Sequence, residues 1–387
     1  MPLTGITVIT GFLGSGKTTL VNHVLNGNHG YKVAVILNEF GADIGVEKML
    51  VTDNPDGDTS VTEDWVEMNN GCVCCTVKGS LIQTIDSLLE KRSAEKKEAF
   101  EFILLETTGL ADPGPVAQEL WVDDELLEDD GAVLDAVVTL VDASNILRQL
   151  KDTQEAALQI AFADTLVLNK TDLVTSEDEL VKIEGILTTM NAEAKIVRST
   201  RSEVDLKLIL NQGAVTVQNR NGRKPTLGPL ASNVPKNVQT KGSGFWARGV
   251  EKYATPGMLS EIHDARIRTV CLAVEGIIDE KRFEQWLEDV LWEKREGEGG
   301  GSGADADCKL EVLRAKGVLY VTSDDNKVKR RVVQAVREVY EITPGPDGFD
   351  ETTEQKMNKV VLIGKGLREE DLLPGLRKTV VTSKIES

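Results

Sequence analysis

The stretch that decides the fold is Gly11-Phe12-Leu13-Gly14-Ser15-Gly16-Lys17-Thr18, which has the pattern Gly-x4-Gly-Lys-Thr. It follows the apolar run Ile6–Thr10, and it precedes residues 19–25, whose apolar spacing predicts an amphipathic helix. A strand, a glycine-rich turn and a helix in this order predict a loop that binds phosphates. Its glycines let backbone N–H groups surround a polyphosphate, and the N-terminus of the helix adds partial positive charge.

The polar residues of this loop have separate expected tasks. Lys17 is expected to contact the outer phosphates and to act in catalysis, and the Thr18 hydroxyl is expected to hold Mg²⁺. The remaining positions expected to contact the nucleotide are Gly11, Gly14, Ser15, Gly16 and Thr19. The alternative is a tight glycine turn that binds nothing. The flanking strand and helix favour a site for a nucleoside triphosphate.

Composition excludes several classes of partner. The 387 residues leave room for two domains, and 44 basic against 63 acidic residues give a net charge of −19. This charge disfavours nonspecific nucleic-acid binding and anionic membrane surfaces, and no apolar run has the length of a membrane span. Met1 closely precedes the first predicted strand, which leaves no room for a signal peptide. We therefore expect a cytoplasmic protein, with the nucleus as a further location, and reduced cysteines.

Near-continuous apolar strands alternate with helices through residues 1–211. This pattern predicts an α/β domain of the phosphate-loop NTPase type, with a parallel sheet covered by helices on both faces. The predicted strands are Thr7–Thr10, Val33–Asn38, Phe102–Glu106, Ala136–Val141, Thr165–Asn169 and Lys195–Arg198. The predicted helices include Ser80–Arg92 and Thr153–Ala161.

The second half of the chain has a different organisation. Residues 212–265 are rich in Asn, Gly, Pro, Lys and Ser without periodicity, which predicts a flexible linker or insertion. Residues 266–380 predict a smaller α+β domain, because strands mix with two helices. Its predicted elements are a strand Ile267–Val274, a helix Asp279–Trp292, a strand pair within Val312–Thr322 turning at Lys316-Gly317, strands Val332–Tyr340 and Lys359–Gly364, and a helix Glu369–Leu376.

The tetrapeptide Asn169-Lys170-Thr171-Asp172 ends a predicted strand, where a nucleotide domain would meet the base. The carboxylate of Asp172 can accept both N–H groups on the Watson–Crick edge of guanine. Adenine offers an acceptor at one of those places, so a carboxylate rejects it. Polar tetrapeptides of this kind end many strands. Placed after a phosphate loop, this one favours GTP over ATP, with Asn169, Lys170 and Asp172 as contacts.

Two acidic segments are candidates for catalysis. Glu106 ends a predicted strand, where phosphate-loop enzymes need an acid to organise Mg²⁺, and the nearby Gly109 N–H can contact the γ-phosphate. The alternative for this segment is a strand followed by a plain glycine turn. Glu39 and Asp43 lie in a loop after the second predicted strand, where they can position Mg²⁺ or an attacking water. Taken alone, such an acidic loop is more often solvated surface.

Three thiols fall within four residues in the segment Cys72-Val73-Cys74-Cys75. Three thiolates can converge on one Zn²⁺ and leave a fourth position for water, Glu39 or a side chain of a partner, which suits capture and transfer. The alternatives are buried structural thiols and a redox switch, although a disulfide between the adjacent Cys74 and Cys75 would be strained. Cys271 lies in a predicted strand and is expected in the core.

In combination these segments resemble the CobW-like metal-chaperone GTPases, within the wider family of phosphate-loop metallochaperones that includes UreG and HypB. The resemblance extends from residue 5 to about residue 378. It rests on Gly11–Thr19, Asn38–Gly41, Gly71–Cys75, Glu106–Pro113 and Asn169–Asp172. Further similarity to the eukaryotic zinc-regulated branch lies in Trp121–Asp123, Leu291–Glu293, Arg314–Gly317 and Leu362–Gly364.

The resemblance implies a GTPase that uses Mg²⁺, carries Zn²⁺ and transfers it to a client metalloenzyme. For the eukaryotic branch that client is a type 1 methionine aminopeptidase, and a homodimer is a further possible assembly. Animal members dock their client through a short motif in an acidic N-terminal extension. This chain starts too late to carry that extension, so we expect either docking through another surface or a different client. The second domain of the family often has a histidine where this chain has Arg337, so no metal role is expected there.

Three alternatives stay open at this point. Thiolates do not exclude Co²⁺, so delivery of cobalt toward cobalamin is a rival to zinc within the family. A thiol redox switch on the same fold would use the cysteines without metal. A small-molecule kinase would prefer adenine, which Asp172 opposes.

Overall fold

The computed structural model describes twelve segments of the chain and divides it into two compact units, Met1–Asp264 and Ala265–Ser387. The described residues are 4–27, 29, 31–37, 46–52, 61–67, 80–94, 100–122, 131–212, 267–292, 310–322, 328–345 and 356–381. The expected linker, residues 212–265, lies outside these segments except for Gln212, so its prediction is not tested. In the described part of the chain no helix is both long enough and apolar enough to cross a membrane.

The N-terminal unit is built on one sheet whose order is β4-β3-β2-β5-β1-β6-β7-β8. Its strands are β1 (Thr4–Gly11), β2 (Val33–Leu37), β3 (Val46–Thr52), β4 (Val61–Glu67), β5 (Phe102–Glu106), β6 (Ala132–Asp142), β7 (Thr165–Asn169) and β8 (Lys195–Arg198). The six strands from β2 to β8 in this order are parallel, which confirms the predicted sheet. β3 and β4 extend it as an antiparallel pair that the sequence analysis did not predict.

Helices cover both faces of this sheet. They are α1 (Lys17–Asn26), α2 (Ser80–Ala94), α3 (Pro113–Val122), α4 (Ile146–Asp152), α5 (Glu155–Phe162) and α6 (Glu177–Met190). On one face α1 packs Leu20 and Val24 against Ile9. On the other face α2 and α3 contribute to a cluster that contains Ile6 and Val8. Alternate residues of β1 therefore enter opposite cores, as a sheet buried on both sides requires.

The predicted helix Thr153–Ala161 begins later than expected. Thr153 caps the C-terminus of α4, where its N–H donates to the Gln149 carbonyl at 2.9 Å, and α5 starts at Glu155. The shift matters little for the core, because Ile160 and Phe162 of α5 are buried as the apolar spacing requires.

The C-terminal unit is an antiparallel sheet of order β12-β11-β10-β13-β9, with two helices that contribute to the same core. Its elements are β9 (Ile267–Glu275), α7 (Glu280–Trp292), β10 (Glu311–Thr322), β11 (Val328–Val336), β12 (Val339–Pro344), β13 (Met357–Lys365) and α8 (Glu369–Lys378). The predicted α+β class is confirmed. Phe283 and Leu287 of α7 and Leu376 of α8 are fully buried in this core.

Three predictions for this unit were wrong. The expected strand pair turning at Lys316-Gly317 is one continuous strand, β10, whose Gly317 pairs with both neighbouring strands. The expected strand Val332–Tyr340 is a hairpin, because Arg337 adopts φ 53 and turns β11 into β12. Cys271 is exposed rather than in the core, because Leu272 and Val274 take the buried face of β9.

Candidate nucleotide-binding site

Parallel strands bring their carboxyl ends to one edge of the sheet, and the candidate site residues that the structure describes lie there. This edge, called the nucleotide edge below, is formed by the ends of β1, β5, β6, β7 and β8. The strands end at Gly11, Glu106, Asp142, Asn169 and Arg198, respectively.

The loop between β1 and α1 has a backbone that requires glycine. Gly11, Gly14 and Gly16 adopt φ values of 140, 74 and 108, which side chains disfavour. A Cβ at Gly16 would also lie 2.5 Å from the Ser202 hydroxyl and against the side-chain amide of Asn169. Substitution at Gly16 would therefore displace Asn169 and Ser202, which pack against the loop.

Lys17 is buried at the base of this loop. Its ammonium donates to the carbonyl oxygens of Gly11 at 2.8 Å and Phe12 at 3.3 Å. Burial lowers the pKa of Lys17, and the negative charge of Glu106 opposes this effect. The loop thus holds a cation whose charge is incompletely compensated, as an anion-binding site needs.

The Ser15 hydroxyl is fully buried and lacks a hydrogen-bond partner within the described residues. Buried polar groups are nearly always paired, so an unpaired hydroxyl indicates a missing partner. Oxygens of a phosphate would supply that partner, together with the N–H groups of the same loop. The residues present therefore fit a polyphosphate.

Thr18 and Glu106 meet at the start of α1. The Thr18 hydroxyl donates to Oε1 of Glu106 at 3.0 Å, and the Glu106 side chain is buried. A hydroxyl and a carboxylate are hard oxygen ligands of the kind that Mg²⁺ prefers. The structure thus brings together the two residues expected to hold Mg²⁺. Thr19, which was expected to contact the nucleotide, is exposed in the first turn of α1.

Gly109 lies directly against the phosphate loop. A Cβ at this position would come within 2.8 Å of the backbone nitrogen of Leu13. The segment is also fixed from behind, because the Gln159 side chain donates to the carbonyls of Gly109 at 3.2 Å and Ala111 at 3.0 Å. The expected γ-phosphate contact therefore sits on a supported backbone beside the loop.

Asn169, at the end of β7, contacts the segments that follow β1 and β8. Its side-chain nitrogen donates to the Ser15 carbonyl at 2.8 Å and to the Ser202 hydroxyl at 2.9 Å, and its oxygen accepts from the Ser202 N–H at 2.8 Å. The Ser202 hydroxyl in turn donates to the Gly16 carbonyl at 3.0 Å. Asn169 therefore supports the phosphate loop. Ser202 was not predicted, and its only trace in the sequence is a polar run after β8.

Asp172 lies in a short 3-10 turn, Thr171–Leu173, and its side chain is exposed at the nucleotide edge. The turn is anchored by the Thr171 hydroxyl, which donates to the Ser199 carbonyl at 3.0 Å. An exposed carboxylate on an anchored turn is available to a ligand.

Lys170 is paired with a buried acid that the sequence analysis missed. Its ammonium lies 2.7 Å from Oδ2 of Asp142, the last residue of β6. Asp142 also accepts from the Ser144 N–H at 3.0 Å, from the Ser144 hydroxyl at 2.7 Å and from the Asn145 amide at 3.1 Å. Burial alone would raise the pKa of Asp142, but these hydrogen bonds, with Lys170 first, lower it overall.

A groove of 440 Å³ opens beside the phosphate loop. Its lining includes Phe12, Leu13 and Gly14 of the phosphate loop, together with Asp142 and Lys170. This volume is in the range of small-ligand sites.

The remaining predicted site residues lie outside the described part of the chain. They are Glu39, Asp43, Cys72, Cys74 and Cys75. Among the residues that the structure does describe, no group of three or more His, Cys, Asp or Glu side chains could hold a metal ion. The cysteine site therefore stays a prediction.

Both units match sequence models of known domains. The model of the CobW/HypB/UreG nucleotide-binding domain matches residues 5–198. The model of the cobalamin synthesis protein CobW C-terminal domain matches residues 267–380.

Several characterised relatives match nearly the whole chain. The zinc-regulated GTPase metalloprotein activator 1 of Schizosaccharomyces pombe is 32% identical over 94% of this chain and 82% of its own length. The protein of that name from Saccharomyces cerevisiae is 29% identical over 97% of this chain and 83% of its own length. The zinc chaperone YjiA of Escherichia coli is 28% identical over 96% of this chain and 98% of its own length.

A solved structure supports the same assignment. The crystal structure of Zn(II)-bound YjiA GTPase from E. coli aligns with a TM-score of 0.64 and 26% identity, covering 98% of this chain and 100% of that one. With the phosphate loop, the Thr18–Glu106 pair and both domain matches in place, the chain belongs to the CobW/HypB/UreG family of nucleotide-binding proteins.

Proposed function

We propose that this protein is a GTP-hydrolysing zinc metallochaperone. The observation that carries the proposal is the assembly of Lys17, the Thr18–Glu106 pair and the Asn169–Asp172 segment at one edge of the sheet. Relatives over most of the chain are named as a zinc-regulated GTPase metalloprotein activator and a zinc chaperone, which supports both the nucleotide and the metal.

Guanine is the base that the site favours. Asp172 stands exposed two residues beyond Lys170, on a turn fixed by Thr171. Its carboxylate would accept the two N–H groups of guanine, whereas adenine would bring an acceptor against it. Misplaced acceptors of this kind cost binding energy because both groups lose their water partners.

Hydrolysis would rest on charge stabilisation. Lys17 would neutralise charge on the outer phosphates once they displace its contacts with the loop carbonyls. Thr18 and Glu106 would hold Mg²⁺, which when bound neutralises part of the charge that develops during phosphoryl transfer. Glu39 and Asp43 stay the candidates for orienting the attacking water, since in the sequence they follow β2, whose last residue, Leu37, pairs with Glu106.

The length of chain before the cysteine segment allows it to reach this site. β2 ends at Leu37 beside Glu106, and the antiparallel pair β3–β4 returns the chain to the same edge at Glu67, which pairs with Val46. Three strand spacings separate β5 from β4, about 15 Å. Cys72 follows Glu67 by five residues, which can span up to about 17 Å. Chain length thus allows Cys72, Cys74 and Cys75 to bind zinc close to the nucleotide.

Thiolates at that distance from the nucleotide would allow the bound nucleotide to control the affinity of the protein for zinc. GTP would order the segments that follow β2 and β5, and loss of the γ-phosphate would relax them. Coupling of this kind is reciprocal, so a change in zinc affinity caused by GTP equals the change in GTP affinity caused by zinc.

The test is a pair of titrations on the purified protein. GTP affinity is measured with and without Zn²⁺, and zinc affinity is measured against a colorimetric chelator with and without GTP. We expect matching changes of about fivefold or more. The triple substitution Cys72→Ser, Cys74→Ser, Cys75→Ser should abolish tight zinc binding and the coupling but keep GTP binding.

Two control variants separate the sites. Cys271→Ser removes an exposed thiol of the other unit and should change neither affinity. Lys17→Ala should abolish hydrolysis and leave zinc binding to the thiols intact. Equal GTP affinities with and without zinc would exclude the coupled mechanism, and unchanged zinc affinity in the triple variant would exclude the cysteine site.

The client proposed from the family resemblance is a type 1 methionine aminopeptidase in the cytoplasm. Zinc-loaded protein with GTP should activate the apo-aminopeptidase faster than free zinc buffered to the same concentration. Equal activation by buffered zinc alone would remove this client.

A further inference from the structure

Lys170 has an unusual backbone conformation. Its φ of 60 and ψ of 34 lie in the left-handed region, which residues with a side chain seldom adopt. Strained backbone of this kind persists only where surrounding contacts hold it, and it concentrates at functional sites.

Lys170 is held through its backbone and its side chain: its carbonyl accepts from the Leu173 N–H at 3.0 Å, and its ammonium forms the ion pair with Asp142. The Asp142 side chain is 3% exposed and the Lys170 side chain 31%, so the carboxylate is the fixed partner and the ammonium is the group it captures. Ser144 and Asn145 donate to both oxygens of Asp142 and thereby fix its orientation.

This pair directs the aliphatic stem of Lys170. The residue leaves the end of β7, but its ammonium is bound at the end of the neighbouring strand β6. The stem therefore crosses between two strand ends, along the groove that Phe12, Leu13 and Gly14 border from the phosphate-loop side. An apolar stem held in this place gives a flat base a rigid surface to lie on.

We propose that Asp142 is a positioning residue for guanine binding, which acts by tethering Lys170 so that its stem forms one wall of the base site. The inference rests on the proposed function, in which the base lies beside Asp172. Asp142 itself does not contact the nucleotide. Its contribution is to keep the Lys170 stem ordered before the ligand arrives, which spares the cost of ordering it on binding.

A double-mutant cycle tests the tether. Asp142→Asn removes the charge, and Lys170→Met removes the ammonium but keeps an unbranched stem. Each single change should weaken GTP binding about tenfold, and the double variant should also be about tenfold weaker, since both changes break one interaction. Lys170→Arg keeps the ion pair and should retain most of the affinity.

Inorganic tripolyphosphate separates positioning from misfolding. It fills the phosphate loop without a base, so its affinity, measured by displacement of a fluorescent GTP analogue, should stay within about twofold of wild type in every variant. Lys182→Met is the matched control, because it removes an exposed lysine of α6 that neither lines the groove nor contacts Asp142. Its affinity for GTP should stay near wild type.

The outcomes are distinct. Losses that multiply to about a hundredfold in the double variant, or a parallel loss of tripolyphosphate binding, would overturn the tether. Wild-type protein that binds ATP as tightly as GTP would overturn the proposed base recognition instead.

Discussion

At the scale of residues, a buried lysine ammonium is stabilised by an anion beside it, and this need explains the lowered pKa of Lys17. Among the described residues its ammonium contacts two loop carbonyls and lies in the field of Glu106, and burial keeps its pKa below the usual value. A bound triphosphate would add several negative charges within contact distance, which favours the protonated form. GTP binding should therefore raise the pKa of Lys17.

We predict that GTP binding takes up a proton at alkaline pH. Because the pKa of Lys17 is higher in the complex than in the free protein, affinity should be full at low pH. It should fall as pH rises through the free-state pKa and level off above the bound-state pKa. Calorimetry in two buffers of different ionisation enthalpy, from about pH 7 to about pH 10, measures the uptake.

The control for this prediction is Lys182→Met, which removes an exposed lysine from α6 and should leave the proton uptake unchanged. If binding takes up no proton anywhere in the series, the ammonium is equally stable with and without nucleotide, and the argument from burial fails.

Sequence motifs predicted the residues that act within a short stretch. Lys17, Thr18 and Asn169 were predicted as site residues because each belongs to a motif whose other members are its neighbours in the chain. Asp142 and Ser202 were missed because their partners lie 28 and 186 positions away. A single polar residue at the end of a strand carries no mark of which distant group it will meet.

At the scale of elements, the contact between α7 and α8 depends on one missing side chain. A Cβ at Gly375 would lie 2.6 Å from two atoms of the Trp286 indole. The ring is buried and packs against Phe283 with centroids 5.4 Å apart, so it has little room to move. Gly375 therefore allows α8 to approach α7 closely.

We predict that Gly375→Ala destabilises the protein by about 1–2 kcal/mol. Alanine is the better helix former by about 1 kcal/mol, so a net loss would show that the steric overlap outweighs helix propensity. Urea unfolding followed by tryptophan fluorescence measures the change. The loss of stability caused by Gly375→Ala should be smaller in a Trp286→Phe background than in the wild-type background. A Gly375→Ala variant more stable than wild type would contradict the overlap.

Strand prediction was most accurate for short apolar strands, and it missed strands that carry several charged residues. β2, β5 and β7 are apolar runs and were placed within one residue. Charged residues interrupt β3 and β4, at Lys48 in the first and at Glu63 and Asp64 in the second, so neither reads as a continuous apolar strand. The turn at Arg337 contains neither glycine nor proline, and only the structure shows that the chain reverses there.

At the scale of the whole molecule, net charge opposes the ligand. The formal charge of −19 repels a nucleotide that is itself an anion. Lys17 is buried and Lys170 is paired with Asp142, so neither projects its full charge into solvent. Capture of GTP must then rely on contacts made at short range, after the long-range field has been overcome.

We predict that GTP associates faster as salt increases. Raising ionic strength from about 0.01 M to about 0.15 M shortens the Debye length from about 30 Å to about 8 Å and should raise the association rate constant about threefold. Stopped-flow fluorescence measures the rate. Guanosine, which is uncharged, should show no such change, and a rate that falls with salt would mean that local cations dominate the field.

The fold class followed from the order of apolar segments, since strands that alternate with helices have few arrangements apart from a parallel sheet. The same reasoning was weaker for the C-terminal unit. Its antiparallel order β12-β11-β10-β13-β9 places β13 between β10 and β9, a neighbour relation that no local pattern encodes.

The hydrogen bond from Ser202 to Gly16 spans 186 positions and closes the phosphate loop with a residue beyond β8. The phosphate loop is among the first parts of the chain to be synthesised. Ser202 follows about 10 to 40 s later at ordinary rates of translation. The nascent chain therefore carries an unfinished loop through most of the synthesis of this unit, and the loop is completed only when Ser202 emerges.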